Sequence, residues 1–323
     1  MQRPMLSVVA PVYDEVAVVE ELVDRIVGAV SGLGSFEVVI VDDGSTDGTW
    51  EALSVAASRH DAVRTVRLSR NFGHQVALTA GLDLARGDAV VTIDGDLQDP
   101  PEVIPRLVER WRAGFDVVYA VRASRAGETR YKLWTARLFY RVMQRMTPVA
   151  IQEEVGDFRL LSRRAADALR GMPERARFLR GMTSWIGFSQ VGVLYERDAR
   201  RFGETKYPTR KMVRFAADAI TSFSTLPLQV VSSLGFLLVG FCMAYMGYTI
   251  YQRLFTSETV QGWASVIVLV LLIGGVQLLS LGVIGQYIGR IFDEVKRRPL
   301  YVIADDLGSD PGIDTVVSNL RND

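Results

Sequence analysis

Over the first 120 residues, short runs of aliphatic and β-branched side chains alternate with longer amphipathic stretches. Residues 6–11, 37–42, 63–68, 89–94 and 117–121 predict strands. Residues 15–30, 49–58, 76–85 and 102–111 carry apolar positions at helical spacing and predict the helices between them. Strands alternating with helices indicate an α/β, mainly parallel sheet with crossover helices. Asp99-Pro100-Pro101-Glu102 predicts a helix start with Asp99 as N-cap and Pro100 in the first helical position. Polar residues collect at the carboxyl ends of the strands, in Pro11-Val12-Tyr13-Asp14, Asp42-Asp43-Gly44-Ser45 and Asp94-Gly95-Asp96. That edge of an open α/β sheet is where ligands bind.

The pattern changes in the second half. Residues 219–252 and 259–289 contain no charge. Within them, 228–251 and 264–287 each give roughly 36 Å of helix against roughly 30 Å of bilayer hydrocarbon. Trp263 and Tyr287 stand at the ends of the second stretch, where interfacial aromatics belong. The competing reading is two buried helices of a soluble protein, although such helices seldom run this long without a charge. The link between the stretches carries only Arg253 and Glu258, whereas Lys206, Arg210, Lys211, Arg214, Arg290, Lys296, Arg297 and Arg298 flank them. The positive-inside rule then predicts a multi-pass inner (plasma) membrane protein, with the catalytic domain and both termini cytoplasmic. Small residues such as Gly235, Gly240, Gly274 and Gly282 leave room for close helix packing and for a homo-oligomer. Tyr131, Trp134, Leu138, Phe139, Val142 and Met146 recur at helical spacing among Lys132, Arg137, Arg141 and Arg145, as in a helix lying on membrane lipids. The expected organisation is a catalytic domain over 1–208, a juxtamembrane interfacial helix over 209–227, a two-helix hairpin over 228–289 and a tail over 290–323, polar beyond Asp305.

Composition and the first residues refine this picture. Hydrophobic residues make up 49% of the 323 positions, and the excess lies after residue 218. The single cysteine, Cys242, excludes a disulfide framework and a cysteine metal cluster. Met1–Pro4 lead directly into a strand, so no secretory leader is expected. The net charge of +0 conceals an acidic first third and a basic segment over 121–215. The first suits a metal with a polyphosphate and the second an anionic lipid surface. No nucleic-acid partner is expected.

Two carboxylates two residues apart at a strand end, as in Asp94-Gly95-Asp96-Leu97-Gln98, can share a hard divalent cation that keeps room for substrate phosphates. An EF-hand loop starting at Asp94 fails, because its sixth and twelfth positions hold Asp99 and Pro105. No Walker motif is formed around Gly44–Gly48, because no Lys-Ser/Thr follows.

Pro11-Val12-Tyr13-Asp14-Glu15, Val41-Asp42-Asp43-Gly44-Ser45-Thr46-Asp47 and Asp94-Gly95-Asp96 fall in an order and spacing that resembles the GT-A fold, family 2 glycosyltransferases. Arg70-Asn71-Phe72-Gly73, Asp96-Leu97-Gln98-Asp99-Pro100-Pro101 and Gly156-Asp157-Phe158-Arg159-Leu160, with the two apolar stretches, narrow the resemblance. They look like the polyprenyl-phosphate hexose synthases, GtrB-like and dolichol-phosphate-mannose-synthase-like, over roughly residues 5–300. One departure is Asp14, where the family usually has Asn.

The resemblance implies a GT-A (Rossmann-like) catalytic domain with amphipathic interfacial helices and a transmembrane hairpin. It places Pro11, Tyr13 and Glu15 by the nucleoside, Asp42 on the base, and Asp43 and Asn71 near the nucleotide. Asp94, Asp96 and Gln98 would surround a Mg²⁺ or Mn²⁺ ion. Asp96 and Asp157 are the expected catalytic residues, Arg122 would hold the acceptor phosphate, and Arg201 and Lys206 would grip the donor phosphates. A phosphate monoester, with a second pKa of about 6, is mostly dianionic at neutral pH and needs no general base. Asp157 is therefore expected to position a substrate rather than to abstract a proton.

The implied reaction is inverting transfer of a hexose from a nucleotide sugar to undecaprenyl or decaprenyl phosphate. UDP-glucose is the first choice of donor, with GDP-mannose or a UDP-N-acetylhexosamine as alternatives. A processive polysaccharide synthase would carry a Gln-x-x-Arg-Trp signature, which the segment Phe178-Leu179-Arg180-Gly181-Met182-Thr183-Ser184-Trp185 lacks. A non-catalytic nucleotide-binding membrane scaffold is the alternative from another class, and the intact Asp94/Asp96/Gln98 set argues against it.

Overall fold

A computed structural model describes residues 3–123, 155–197, 226–255 and 262–308. They fall into two compact units, one containing the residues up to 197 and those from Arg298 onward, the other residues 226–297. In chain order the first unit contains β1 (Leu6–Val12), α1 (Val19–Val30), β2 (Phe36–Asp42), α2 (Thr49–Ser58), β3 (Val63–Leu68), α3 (His74–Leu84) and β4 (Ala89–Thr92). A 3-10 turn over Pro101–Val103 leads into α4 (Ile104–Arg112). Next come β5 (Val117–Arg122), β6 (Val155–Ser162), α5 (Arg163–Arg170), α6 (Leu179–Trp185) and β7 (Gln190–Tyr195). The second unit contains α7 (Leu226–Phe255) and α8 (Trp263–Val295), and β8 (Ile303–Leu307) closes the first.

The eight strands form one sheet in the order β7-β5-β6-β4-β1-β2-β3-β8. Pairings among β1, β2, β3 and β4, and between β5 and β7, are parallel; β6 and β8 join antiparallel. This mostly parallel mixed sheet with helices is the α/β architecture expected from the alternation. Period-two side-chain direction divides the core between the two faces. Val8, Ala10, Val38 and Ile40 pack on one side with α1 and α4. Val9, Val39 and Val41 pack on the other with α3. β1 and β2 are buried on both faces, which is why they read as continuous apolar runs rather than alternating ones.

The structure departs from the sequence reading at three places. Asp99 does not cap a helix: Pro100 precedes the 3-10 turn, and the Asp99 side chain turns into the core instead. The strands β6 and β7 add to the five expected. Residues 298–308 are not a separate tail, because β8 pairs with β3 from Thr65↔Leu307 to Leu68↔Ile303. Arg64 and Asp306 form an ion pair there at 2.5 Å, and the Tyr301 hydroxyl donates to Asp83 at 3.0 Å. The run from Leu300 to Ala304 is too short, and too close to two aspartates, to stand out as a strand by pattern alone.

The helices α7 and α8 are in contact with each other and contain segments long and apolar enough to cross a membrane, Pro227–Gln252 and Val268–Val295. Their large apolar side chains, among them Phe236, Leu237, Leu278 and Leu279, stand uncovered. Both helices outrun the expected spans, and α8 continues past Tyr287 through Arg290 and Asp293. The amphipathic stretch around residues 131–146, most of the juxtamembrane segment over 209–227, and Arg201 and Lys206 lie outside the described residues.

Candidate active site

Loops from β1, β2 and β3 meet at the carboxyl edge of the sheet. The Asp14 N–H donates to Ser45 Oγ at 2.9 Å, and the Thr46 N–H donates back to Asp14 Oδ1 at 2.9 Å. Asp14 therefore accepts a hydrogen bond just as an asparagine there would, at a φ of 51° that Asn and Asp tolerate better than most residues. Asp42 is wholly buried; its Oδ1 accepts from the Ser45 N–H at 2.9 Å, and its Oδ2 lies 3.5 Å from Arg67 Nε. Burial raises its pKa, against the Ser45 hydrogen bonds and the Arg67 charge.

Asp43 accepts from the Phe72 N–H at 2.7 Å on Oδ1 and from the Gly73 N–H at 2.9 Å on Oδ2. It thus clamps the 70–73 loop onto the end of β2. Gly44 makes that approach possible: at φ 72° it carries no Cβ, which would sit 2.5 Å from the Arg70 carbonyl carbon. The two motifs are consequently one packed unit. Of the two residues expected near the nucleotide, Asp43 holds this loop with both oxygens, while Asp42 is buried with its Oδ2 making no hydrogen bond among the described residues. What stands exposed beside it is Tyr13, 43% exposed, and Asn71, whose side chains meet. Glu15 anchors through its N–H to Thr49 Oγ1 at 2.9 Å, and Pro11 lies buried in β1.

The ends of β4 and β6 and the start of α3 bring together His74, Asp94 and Asp157, with one ligand atom from each within 4.8 Å of the others. This group can hold a metal ion. His74 Nε2 is 3.3 Å from Asp94 Oδ1 and 3.3 Å from Asp157 Oδ2. The donors around Asp157 are numerous: Arg180 Nε at 3.0 Å and Nη2 at 3.3 Å, Gln75 Nε2 at 2.8 Å, and Arg159 Nη2 at 3.6 Å. Burial alone would raise its pKa, but the His74 hydrogen bond and the Arg180 and Arg159 charges hold it well below the usual carboxylate range.

Asp94 is the opposite case. Its side chain is 22% exposed, its Oδ1 has no hydrogen-bond partner among the described residues, and burial pushes its pKa up to about 6. A carboxylate oxygen without a hydrogen bond, close to other carboxylates and to the His74 imidazole, fits a hard divalent cation, whereas Asp157, paired with two guanidinium groups, fits an anchor better. His74 has its pKa raised: burial acts against the shift, but the hydrogen bond to Asp157 and the nearby carboxylates outweigh it.

Asp96 and Gln98 of the expected metal set are bonded to each other. Asp96 Oδ2 accepts from Gln98 Nε2 at 2.7 Å, and Asp96 Oδ1 accepts from the Gln98 N–H at 3.1 Å. The pair closes its own turn beside Asp94, with Leu97 at φ 54°. Arg122, at the end of β5, directs Nε to the Tyr195 hydroxyl at 3.4 Å.

Sequence reasoning missed His74, Gln75, Arg159 and Arg180. The signal for the first two was present, because they directly continue Arg70-Asn71-Phe72-Gly73, and His74 is one of only two histidines. Arg159 stood within the Gly156–Leu160 motif and Arg180 within the Phe178–Trp185 segment, but neither residue was assigned to the site.

The description "Glycosyl transferase family 2" belongs to the family profile that matches residues 7–170. The Bacillus subtilis (strain 168) glycosyltransferase YkcC is 46% identical, over 94% of this chain and 94% of its own length. A prophage bactoprenol glucosyl transferase homolog of Escherichia coli (strain K12) is 40% identical, over 92% and 98% respectively. The SfII prophage-derived bactoprenol glucosyl transferase of Shigella flexneri is 41% identical, over 92% and 97%. Among solved structures, Mycobacterium tuberculosis glucosyl-3-phosphoglycerate synthase, in complex with Mn²⁺, UDP and glucosyl-3-phosphoglycerate, aligns at TM-score 0.46 and 23% identity. That alignment covers 67% of this chain and 77% of the synthase.

Proposed function

The chain belongs to glycosyl transferase family 2, and from that premise we propose that it transfers glucose from UDP-glucose to a polyprenyl phosphate with inversion. The observation that carries the chemistry is Asp94 Oδ1 at the strand edge, which makes no hydrogen bond among the described residues and has His74 Nε2 3.3 Å away, beside an Asp157 already paired with Arg180 and Arg159. The acceptor class is supported by the full-length relatives named bactoprenol glucosyl transferase. The uncovered apolar helices suit an enzyme whose acceptor lies in a bilayer.

In this reading Tyr13 and Asn71 flank the nucleoside, on a floor built by Pro11, Glu15, Asp42 and Asp43. Asp94, with Asp96 and Gln98, would hold a Mg²⁺ or Mn²⁺ ion, which supplies Lewis-acid neutralisation of charge on the donor diphosphate. Asp157 stays ionised and orients Arg180 and His74 at the reacting centre. The acceptor phosphate oxygen forms the new bond to the anomeric carbon while the bond from that carbon to the diphosphate breaks. The electron pair leaves with the nucleoside diphosphate. No proton needs to be removed, because the acceptor is already ionised. Arg122 meets the acceptor phosphate, and Arg201 and Lys206 the donor phosphates. Holding the lipid at one surface reduces the orientation cost of the encounter.

The connectivity also supports a topology. The chain leaves the catalytic unit, runs through α7 and α8, and returns to the same sheet as β8. The number of crossings is therefore even, and the basic flanks place the catalytic unit on the cytoplasmic side.

The test is transfer of radiolabelled sugar from UDP- and GDP-hexoses to undecaprenyl or decaprenyl phosphate, with Mg²⁺, Mn²⁺ or EDTA. We expect an organic-extractable product from UDP-glucose that EDTA abolishes. Product from GDP-mannose alone would overturn the donor, and no lipid product from nucleotide-competent protein would overturn the acceptor.

A further inference from the structure

Asp99 has no part in the chemistry above, yet it is a carboxylate at 0% exposure. A buried charge is costly unless it is paired, so its partners indicate its use. Asp99 Oδ1 accepts from the Tyr195 hydroxyl and lies 3.2 Å from Arg197 Nε. Asp99 Oδ2 is buried without a hydrogen-bond partner among the described residues. Because the phenol proton goes to Asp99, the phenol oxygen is left as an acceptor, and Arg122 Nε donates to it at 3.4 Å.

Gly156 closes the arrangement from the other side. A Cβ there would lie 3.2 Å from Arg122 Nη2 and 3.8 Å from Asp99 Oδ2, so both press against a bare backbone one residue from Asp157. The Nε edge of the guanidinium is thus committed to Tyr195, and its Nη end lies beside the carboxyl edge of the sheet.

We propose that Asp99 and Tyr195 are positioning residues that hold the Arg122 guanidinium for the phosphate of the lipid acceptor. The inference rests on the preceding reading of a polyprenyl phosphate acceptor. Arginine meets phosphate best as a rigid fork, and fixing the side chain beforehand lowers the ordering cost at binding. The Tyr195 ring has a separate structural duty, edge-on to Phe158 at 5.8 Å, which phenylalanine would keep.

The experiment measures initial rates with the full-length enzyme, varying decaprenyl phosphate and UDP-glucose independently, for wild type, Tyr195→Phe, Asp99→Asn, Arg122→Gln and Tyr195→Phe/Arg122→Gln. Losing the hydrogen bond should raise the KM for the lipid phosphate by about 3- to 10-fold in Tyr195→Phe. The KM for UDP-glucose and the Tm should stay unchanged. Asp99→Asn, which keeps the shape without the charge, should move the same constant. In the Arg122→Gln background, adding Tyr195→Phe should change nothing further, an outcome that a merely structural tyrosine would not give. An unchanged acceptor KM, an equal rise in both KM values, or effects that multiply in the double variant would overturn the inference while leaving the acceptor reading intact. A wild-type enzyme that makes no lipid product would overturn the acceptor reading itself, and this inference with it.

Discussion

At the scale of single residues, two aspartates with the same ordinary pKa are driven apart by their neighbours. Asp157 is held down by Arg180, Arg159 and His74, while burial pushes Asp94 up to about 6. A carboxylate held that low is a poor proton acceptor at neutral pH. Asp157→Asn should therefore cost about 10²-fold in activity through misplacement of Arg180 and His74. Its pH–rate profile between pH 6 and 9.5 should keep the wild-type shape; recovery at high pH would instead identify a lost base. Asp94→Asn removes the carboxylate charge and replaces one of its two oxygens with an amide nitrogen that cannot ligate a hard cation. Mn²⁺ binding, followed by its paramagnetic resonance signal, should weaken by more than the roughly 10- to 100-fold typical of an outer-shell partner. Unchanged Mn²⁺ affinity would move the metal elsewhere.

At the scale of elements, β8 and the β5–β6 corner show how distant segments are tied. Arg64 and Asp306, both nearly buried, join β3 to β8. Asp306→Ala should cost about 3 kcal/mol in chemical denaturation, because it leaves a buried guanidinium unpaired. Arg64→Met with Asp306→Leu should recover most of that loss; failure to recover would mean that the pair also sets the strand register. Asp116 accepts from Arg164, Ser162 and Ser189, and the Arg164 hydrogen bond leads in lowering its pKa to about 2. Its folded pKa is depressed, so its stabilisation is complete above the unfolded value near 3.9 and fades as pH falls towards 2. The Tm gap between wild type and Asp116→Asn should accordingly narrow from pH 7 to pH 3. A gap independent of pH would assign the effect to shape rather than charge.

At the scale of the whole molecule, one sheet receives strands from both sides of the apolar pair α7 and α8. In a Cys242→Ser background, Thr256→Cys between the two helices should react with a membrane-impermeant thiol reagent on intact cells. Val302→Cys, at a half-exposed position beside β8, should react only after permeabilisation. Labelling of both positions from the same side would remove the hairpin.

The sequence by itself determined whatever depends on neighbours along the chain. Short aliphatic and β-branched runs set the first five strands, period-3.6 patterns set the helices between them, and charge-free length set α7 and α8. Short motifs marked the carboxyl edge of the sheet at Tyr13, Asp43, Asp94 and Asp157. Only the tertiary structure decided which residues those side chains meet. Asp157 finds Gln75 and Arg180, Asp43 finds the 70–73 loop, and Asp99 turns from an expected cap to Tyr195. Asp306 reaches Arg64 from the far end of the chain. The physical reason is that local backbone preference is expressed within a few residues. A buried carboxylate, by contrast, takes whichever donors the folded sheet and its packed helices bring within about 3 Å.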